Sequence, residues 1–553
     1  MKKILMTTVE SKPYATAGGT SDVTSVLTKV LRQKGYDVRL VLPYYSTIIT
    51  EHRYSIKHAM DLSVPVGGGS ISASVHAAKL LIPDPDGEVY PVYLINGDPY
   101  QYFAKVDERK VPVYPPLEDQ SADAGTLYAF FCRAVLEMTK TFCKEGWKPN
   151  IIHCHDWPAG LIPTYLKHIL QDDICFQGVK VVFTIHNISD VAYQGGWFGP
   201  EVLQYAGIPQ RLFDDGQVRH DNRVNFMKAG IVFSDRVNTV SEGYAIEIKS
   251  NVRESFVDID DVRKGYQYSG GLDYVWSQHN VNLIGIRNGI DDSYDPSRIG
   301  QGDDWSFVDE DWKPKHNGHS VSERAYSAMD AQFLRKKGDI KRYLQMRCNQ
   351  RLNIALEETE EIPIIAIRSR LAEQKGFDLI IEALRRWDFG RKAQFIVVAW
   401  GEDRYAIRCR QQFEDLMKKY PNQIAFSRSW RDVPELLHYA GADMLLMPSL
   451  FEPCGLPHMM ALRCGTIPIV RRTGGLADVI RDFDPITATG NGFDFIAPDY
   501  REMLRAIERA LQVYQSQDLW QKLVRNAIQA KDRDGRDFTW NTSADRYIAE
   551  MYS

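Results

Sequence analysis

A strand-length apolar run that keeps returning, each time followed by a segment of helical spacing, limits what this chain can fold into. Lys3 to Val9 reads as the first strand and Gly18-Gly19 as a tight turn. Val23, Val26, Leu27, Val30 and Leu31 then recur at helical spacing before a second strand from Tyr36 to Leu42. This is a βαβ unit, whose parallel strands need helices on both faces. Further strands are expected at Ile151–His155, Val179–Thr184 and Arg236–Val240. The first half thus reads as a doubly wound parallel sheet with ligands at the carboxyl ends of its strands. Between Gly300 and Ser322 the rhythm breaks in a stretch crowded with Asp, Gly, His and Lys, read as an insertion or linker. It restarts at Pro363–Ile367, Phe395–Ala399, Ile424–Phe426, Met444–Met447 and Ile467–Val470, which predicts a second doubly wound domain.

Composition removes whole classes of function. With 553 residues, 44% hydrophobic and 25% charged, the chain buries sizeable cores and is neither disordered nor fibrous. Its 67 basic and 72 acidic residues leave a net charge of −5, so no overall field recruits nucleic acid or an anionic membrane. No apolar run approaches the roughly 18 to 20 residues that span a bilayer. The opening Met-Lys-Lys-Ile-Leu-Met resembles a signal peptide only as far as Thr7, Thr8 and Glu10, and is read as a strand. The eight cysteines never form C-x-x-C, which argues against a disulfide scaffold or zinc ribbon and for a reducing cytoplasm.

P-loop, G-x-G-x-x-G, zincin and G-x-S-x-G motifs are absent. Asp84-Pro-Asp86 and Asp309-Glu310-Asp311 could hold a metal with a nucleotide diphosphate, but such strings arise by chance among 72 acidic residues. His153 and His155, two apart on a strand, share one face and could ligate a metal; buried, hydrogen-bonded histidines are commoner, so no metal is expected. Gly18-Gly19-x-x-Asp22-Val23 recurs as Gly474-Gly475-x-x-Asp478-Val479, each a glycine turn opening a helix and suited to an anion, and the pair is expected at equivalent places in two domains of one topology. Arg370 and Lys375 lie five residues apart after the strand that opens the second domain. Converging on one anion, they can replace a divalent metal in neutralising a departing diphosphate; alone, the pair reads more readily as a solvated face.

Context decides between these readings. Pro448-Ser449-Leu450-Phe451-Glu452-Pro453-Cys454-Gly455-Leu456 and Thr473-Gly474-Gly475 each follow a strand. Together with His153-x-His155-Asp156-Trp157, Thr184-Ile185-His186-Asn187, Lys228-Ala229-Gly230, Asn288-Gly289-Ile290-Asp291 and Phe538-Thr539-Trp540, they resemble glycogen and starch synthases. These are retaining nucleotide-sugar transferases of glycosyltransferase family 5, with the GT-B fold. The resemblance implies two Rossmann-like domains facing across a cleft. Residues 1–290 would form an N-terminal, acceptor-side domain, 291–355 a linker or insertion, 356–535 a nucleotide-sugar domain, and 536–553 a segment returning to the first domain. It also implies an enzyme moving glucose from ADP-glucose or UDP-glucose to the non-reducing end of an α-1,4-glucan, with retention and without a metal or other cofactor. The site would be cytoplasmic, or plastidial after removal of a transit peptide.

By the same resemblance Arg370 and Lys375 hold the donor pyrophosphate, and Glu452 binds glucose hydroxyls. Cys454, Gly455, Leu456, Thr473, Gly474 and Gly475 line the sugar or phosphate site. His186 approaches the glucose, Asp156 the acceptor hydroxyl, and Gly18, Gly19 and Asn288 line the same cleft. Synthases usually carry Lys-x-Gly-Gly-Leu-x-Asp-Val in the first glycine loop, where this chain has Thr16-Ala17-Gly18-Gly19-Thr20-Ser21-Asp22-Val23. Thr16 therefore removes a positive charge. Pro158 and Pro457-His458 are further departures. They leave open a different donor or acceptor, or a paralogue that binds glucan or nucleotide sugar without turnover.

Overall fold

The computed structural model describes residues 1–50, 54–80, 90–106, 113–115, 123–250, 253–254, 266–300, 322, 325–326, 332–387, 392–429 and 432–553. Residues 301–321, the core of the expected insertion, and both Asp-x-Asp strings lie outside the described residues. The chain divides into two compact units. One takes in Met1–Ser255, Lys264–Asn288 and Trp540–Ser553; the other consists chiefly of Gly289–Thr539.

In chain order the first unit contains β1 (Lys3–Thr7), β2 (Asp37–Pro43), β3 (Tyr54–Val66), β4 (Gly69–Leu80), β5 (Val92–Asn96), β6 (Ile151–His155) and β7 (Lys180–Ile185). There follow a ladder of β8 (Arg219–His220) with β9 (Arg223–Val224), then β10 (Arg236–Thr239), a ladder of β11 (Arg253–Glu254) with β12 (Tyr266–Gln267), and β13 (Leu283–Gly285). Nine of these form one sheet in the order β13-β10-β7-β6-β1-β2-β5-β4-β3. It is parallel except at the edge, where β4 runs antiparallel to β5 and β3. The central strands are buried on both faces, as a sheet covered by helices requires, and mostly apolar, with His153 and His155 on one face of β6 as the exception. Asp123 starts the long helix Ala124–Lys144 by accepting the N–H groups of Gly125 and Thr126. Trp540–Ser553 is tied into this unit by Lys34 to Asp545 (2.7 Å), Ser543 Oγ to the Arg287 carbonyl (2.7 Å) and Lys2 Nζ to the Tyr552 carbonyl (2.6 Å).

The second unit holds β14 (Ile364–Arg370), β15 (Gln394–Trp400), β16 (Ile424–Ser427), β17 (Met444–Met447), β18 (Ile467–Arg471) and β19 (Phe493–Phe495) in one sheet, ordered β16-β15-β14-β17-β18-β19. All five pairings are parallel. Within the stretch 291–355 the helix Phe333–Leu352 packs into this unit with Ile340, Tyr343 and Leu344 buried, so that part is domain structure rather than connection.

The topology corrects one expectation. The two Gly-Gly-x-x-Asp-Val loops do not occupy equivalent places, because β1 is a central strand flanked by β2 and β6, whereas the second loop follows β18, next to the sheet edge. The counterpart of β1 is β14, the central strand flanked by β15 and β17, so the counterpart of the first glycine loop is the Arg370–Gly376 turn.

Candidate active site

The second unit gathers its polar groups at the carboxyl ends of β14 and β17. Beyond β14 the chain makes one helical turn at Glu373–Lys375, and Gly376, at φ +70°, opens the helix Phe377–Arg386. A Cβ at Gly376 would stand 2.3 Å from the Pro448 carbonyl oxygen, so only glycine lets this turn meet the loop after β17. Gln374 joins the two: its side-chain N–H donates to the Phe451 carbonyl (3.0 Å), and its own carbonyl accepts the Leu450 N–H (2.7 Å). In consequence Lys375 Nζ lies 2.6 Å from Glu452 Oε2, which also accepts the Ser449 hydroxyl at 3.0 Å. Glu452 is buried. Its carbonyl accepts the Gly475 N–H (3.0 Å), which brings in the turn after β18. Arg370, last residue of β14, is exposed, and its guanidinium makes no ion pair or hydrogen bond among the described residues.

Cys454 and Thr473 are buried in the loops flanking Glu452, Gly455 (φ +79°) begins the helix Leu456–Arg463, and Gly474-Gly475 begins the helix Gly474–Val479. Lys375, Glu452, Gly475 and the Cys454–Leu456 turn are thus one cluster. Gln374 and Ser449 were not singled out by sequence, although one lies between the two cations and the other three residues before Glu452.

The first unit forms a second cluster, after β1, β6 and β7. Asp156 follows β6 with φ +55° and ψ 178°, a conformation close to glycine-only that costs on the order of 1 to 3 kcal/mol and is characteristic of functional sites. Its Oδ1 accepts the His186 backbone N–H at 2.7 Å. Burial pushes its carboxyl well above the usual carboxylate range; the His186 and Asn187 N–H groups oppose that rise, and the Glu10 charge adds to it.

Glu10 was not predicted as a site residue. It is buried, and its Oε2 accepts the N–H groups of Ala17 (2.8 Å) and Gly18 (2.7 Å), while Oε1 accepts the Tyr114 hydroxyl (2.7 Å). The expected anion seat at Gly18 is thus filled by the chain's own carboxylate. The readable signal was an acid three residues beyond the first strand and before the glycine pair. Asn288 is buried, and its side-chain oxygen has no partner among the described residues. Lys228, buried under Tyr274, donates to the Tyr274 hydroxyl (3.0 Å) and the Arg219 carbonyl (2.9 Å), and burial lowers its pKa to about 8.

Three histidines stand side by side here. His155 Nδ1 is 2.9 Å from His186 Nε2, and His153 Nε2 is 2.7 Å from Thr184 Oγ1. Both nitrogens of His153 and of His155 are occupied within the protein, which suits structural rings better than metal ligands. Burial lowers both His153 and His186 to about 3 and holds His155 well below its ordinary value. The unfolded chain therefore takes up protons below about pH 6.5 that the folded unit refuses, so stability is full above that pH and is lost as pH falls toward the folded values. At pH 5 each of His153 and His186 destabilises the fold by about 2 kcal/mol relative to neutral pH. Asp156, whose folded pKa is raised, works in the opposite sense but is one group against three. Denaturant unfolding followed by tryptophan fluorescence should show a lower midpoint at pH 5 than at pH 7; an equal or higher midpoint would contradict buried neutral histidines.

Comparison with known proteins agrees with this arrangement. Residues 3–273 match the family model of the starch synthase catalytic domain, and residues 350–530 that of glycosyl transferases group 1. Glycogen synthase 2 of Geobacter metallireducens is 33% identical over 551 residues, covering 100% of this chain and 98% of its own. A glycogen synthase of Clostridium botulinum (strain Alaska E43) is 34% identical over 554 residues, with 100% and 98% covered. Among solved structures, the catalytic domain of starch synthase IV from Arabidopsis thaliana, bound to ADP and acarbose, superposes with a TM-score of 0.75 at 26% identity, over 99% of this chain and 98% of that one. Sucrose-phosphate synthase from Thermosynechococcus elongatus, at 16% identity and a TM-score of 0.54, shares the fold. With two doubly wound units, relatives that match from end to end and a polar cluster at the strand ends of each unit, the chain belongs to the glycogen and starch synthase family of GT-B glycosyltransferases.

Proposed function

We propose that this glucosyltransferase of glucan synthesis takes ADP-glucose as donor, with UDP-glucose as the alternative, and extends the non-reducing end of an α-1,4-glucan with retention and without a metal. The observation that carries the reading is the Lys375–Glu452–Ser449 cluster beside exposed, unpaired Arg370. With donor bound, Arg370 and Lys375 take the diphosphate and offset the charge that grows as the C1–O bond breaks. Glu452, released from Lys375, accepts glucose hydroxyls; Gly474 and Gly475 offer backbone N–H groups, and Cys454, Gly455, Leu456 and Thr473 shape the pocket. In the first unit His186 orients the glucose, Asp156 receives the acceptor hydroxyl, and Gly18, Gly19 and Asn288 complete that site.

Retention needs either a covalent intermediate or attack from the face the diphosphate leaves. Glu452 accepts the Ser449 hydroxyl and, in this reading, the glucose hydroxyls, which occupies its lone pairs, makes it a poor nucleophile and favours same-face attack, with the acceptor proton passing to the departing phosphate oxygen. Support for the donor and acceptor comes from the ADP and acarbose bound by the Arabidopsis relative.

The test is incorporation of labelled glucose into glycogen from each nucleotide sugar, with chelator present. Chelator-resistant transfer, faster from ADP-glucose, is expected; transfer that requires a divalent cation, or none from either donor, overturns the reading. Thr16 is exposed one residue before the loop that Glu10 fills, so a lysine fits there without a clash. Thr16→Lys is expected to raise kcat/KM for the donor about ten-fold, the worth of one charge-assisted bond; initial rates that do not rise would remove this cation from the account.

A further inference from the structure

His153 and His155 are buried, bear no assigned role, and form a stack with His186. Ring centroids are 4.2 Å apart for His153–His155 and 5.2 Å for His155–His186, with planes inclined by 33° and 31°. The hydrogen bonds around the stack run in one direction. His155 Nε2 lies 2.8 Å from the Met6 thioether sulfur, which can only accept, so Nε2 carries the proton and Nδ1 of a neutral ring is bare. That bare Nδ1 faces His186 Nε2 at 2.9 Å, and two bare nitrogens or two N–H groups would repel there, so His186 must donate.

His153 follows the same logic. Thr184 gives its hydroxyl proton to Asn238 Oδ1 (2.7 Å), hence accepts from His153 Nε2–H, leaving His153 Nδ1 to accept the Tyr552 hydroxyl at 2.8 Å. Asn238 is oriented in turn by donating to the Tyr547 hydroxyl at 3.0 Å. The last residues of the chain and β1 thereby lock the two β6 histidines. His186 Nδ1 has no partner among the described residues.

We propose that His155 is a positioning residue, whose Nδ1 fixes the proton of His186 on Nε2 and so presents His186 Nδ1 as an acceptor for a sugar hydroxyl. The functional half of this inference rests on the glucosyl transfer proposed above; the proton assignment does not. A ring free to turn or to exchange tautomers would meet the hydroxyl with an N–H part of the time; where outer partners fix the tautomer of metal-bound histidines their loss costs about 10- to 100-fold, and an effect of that order is expected here.

The first measurement is the multiple-bond 1H–15N spectrum of the full chain labelled at histidine, with His186→Ala to assign the signal. His186 should show the Nε2–H tautomer from about pH 8 to about pH 5.5. An Nδ1–H tautomer, an equal mixture or an imidazolium in that range overturns the proposal, even if the chain proves inactive on both donors. The second is kinetic. His155→Leu should lower kcat about ten-fold or more with KM for the donor and thermal stability little changed, and His155→Asn, which returns a carbonyl acceptor near the Nδ1 position, should recover most of it. Equal loss in the two variants, or a Leu variant within about two-fold of the parent, overturns it.

Discussion

Replacing Arg370 with alanine should lower kcat by about 100- to 1000-fold while leaving stability unchanged. The guanidinium is exposed at the end of β14 and unbonded among the described residues, so the fold loses nothing when it is removed. The transition state loses much more: a charge-assisted hydrogen bond is worth about 1.5 to 3 kcal/mol, and more where charge is developing and water is excluded. Lysine at this position should restore only part of the rate, because a point charge lacks the planar fork that grips two phosphate oxygens. Steady-state kinetics with thermal melts check both halves. A fall of less than ten-fold, or one explained by unfolding, would remove Arg370 from the diphosphate site.

The second large effect is expected at Gly475, for a steric reason. A Cβ there would lie 2.2 Å from the Cys454 carbonyl oxygen and 2.6 Å from the Cys454 Cα, both backbone atoms that cannot swing aside. Gly475→Ala must therefore part the turn after β18 from the Glu452 loop and break the 3.0 Å bond from its N–H to the Glu452 carbonyl. Overpacking of this kind costs about 1 to 3 kcal/mol, and displacing the loop by about 1 Å can cost 100-fold in rate. Both a lower melting temperature and a kcat/KM down about 100-fold are expected. Gly19 is the control within the same molecule: its backbone is helical (φ −65°) and nothing lies within 4 Å of a Cβ built there. Gly19→Ala should melt no lower than the parent, and a raised KM in that variant would show that a ligand needs the bare backbone.

Much of this architecture was legible because central parallel strands must be apolar on both faces. Ile151–His155 and Met444–Met447 therefore stand out from the chain, and β6 and β17 have those bounds. The hairpin of β3 and β4 escaped because the alternation of Met60, Leu62 and Val64 with Asp61, Ser63 and Pro65 is interrupted upstream: Lys57, His58 and Ala59 are exposed in succession, where the register shifts between His58 and Met60. The helix Phe333–Leu352 read as a connection because several of its inward positions are polar. Lys337 buries its ammonium against the carbonyls of Ala440 and Cys464 and the hydroxyl of Thr466, and Lys341 pairs with Asp443 at 2.8 Å. Only tertiary structure reveals acceptors so placed.

At the site, motif and order pointed to Lys375 and Glu452, which are bonded to each other. They could not show that Glu10 occupies the first glycine loop, because a carboxylate eight residues before Gly18 reads as any surface acid until the chain turns back on itself. The same holds for Met6 beneath His155, which on a strand reads simply as core.

Transfer of glucose with retention at a metal-free site is the claim on which every kinetic prediction depends. The proton NMR spectrum of maltooligosaccharides extended by the purified chain from an α-linked nucleotide glucose, in chelator, tests it most directly. New anomeric signals of α-1,4 linkages alone are predicted. Signals of β linkages, or release of free glucose without chain extension, would contradict it.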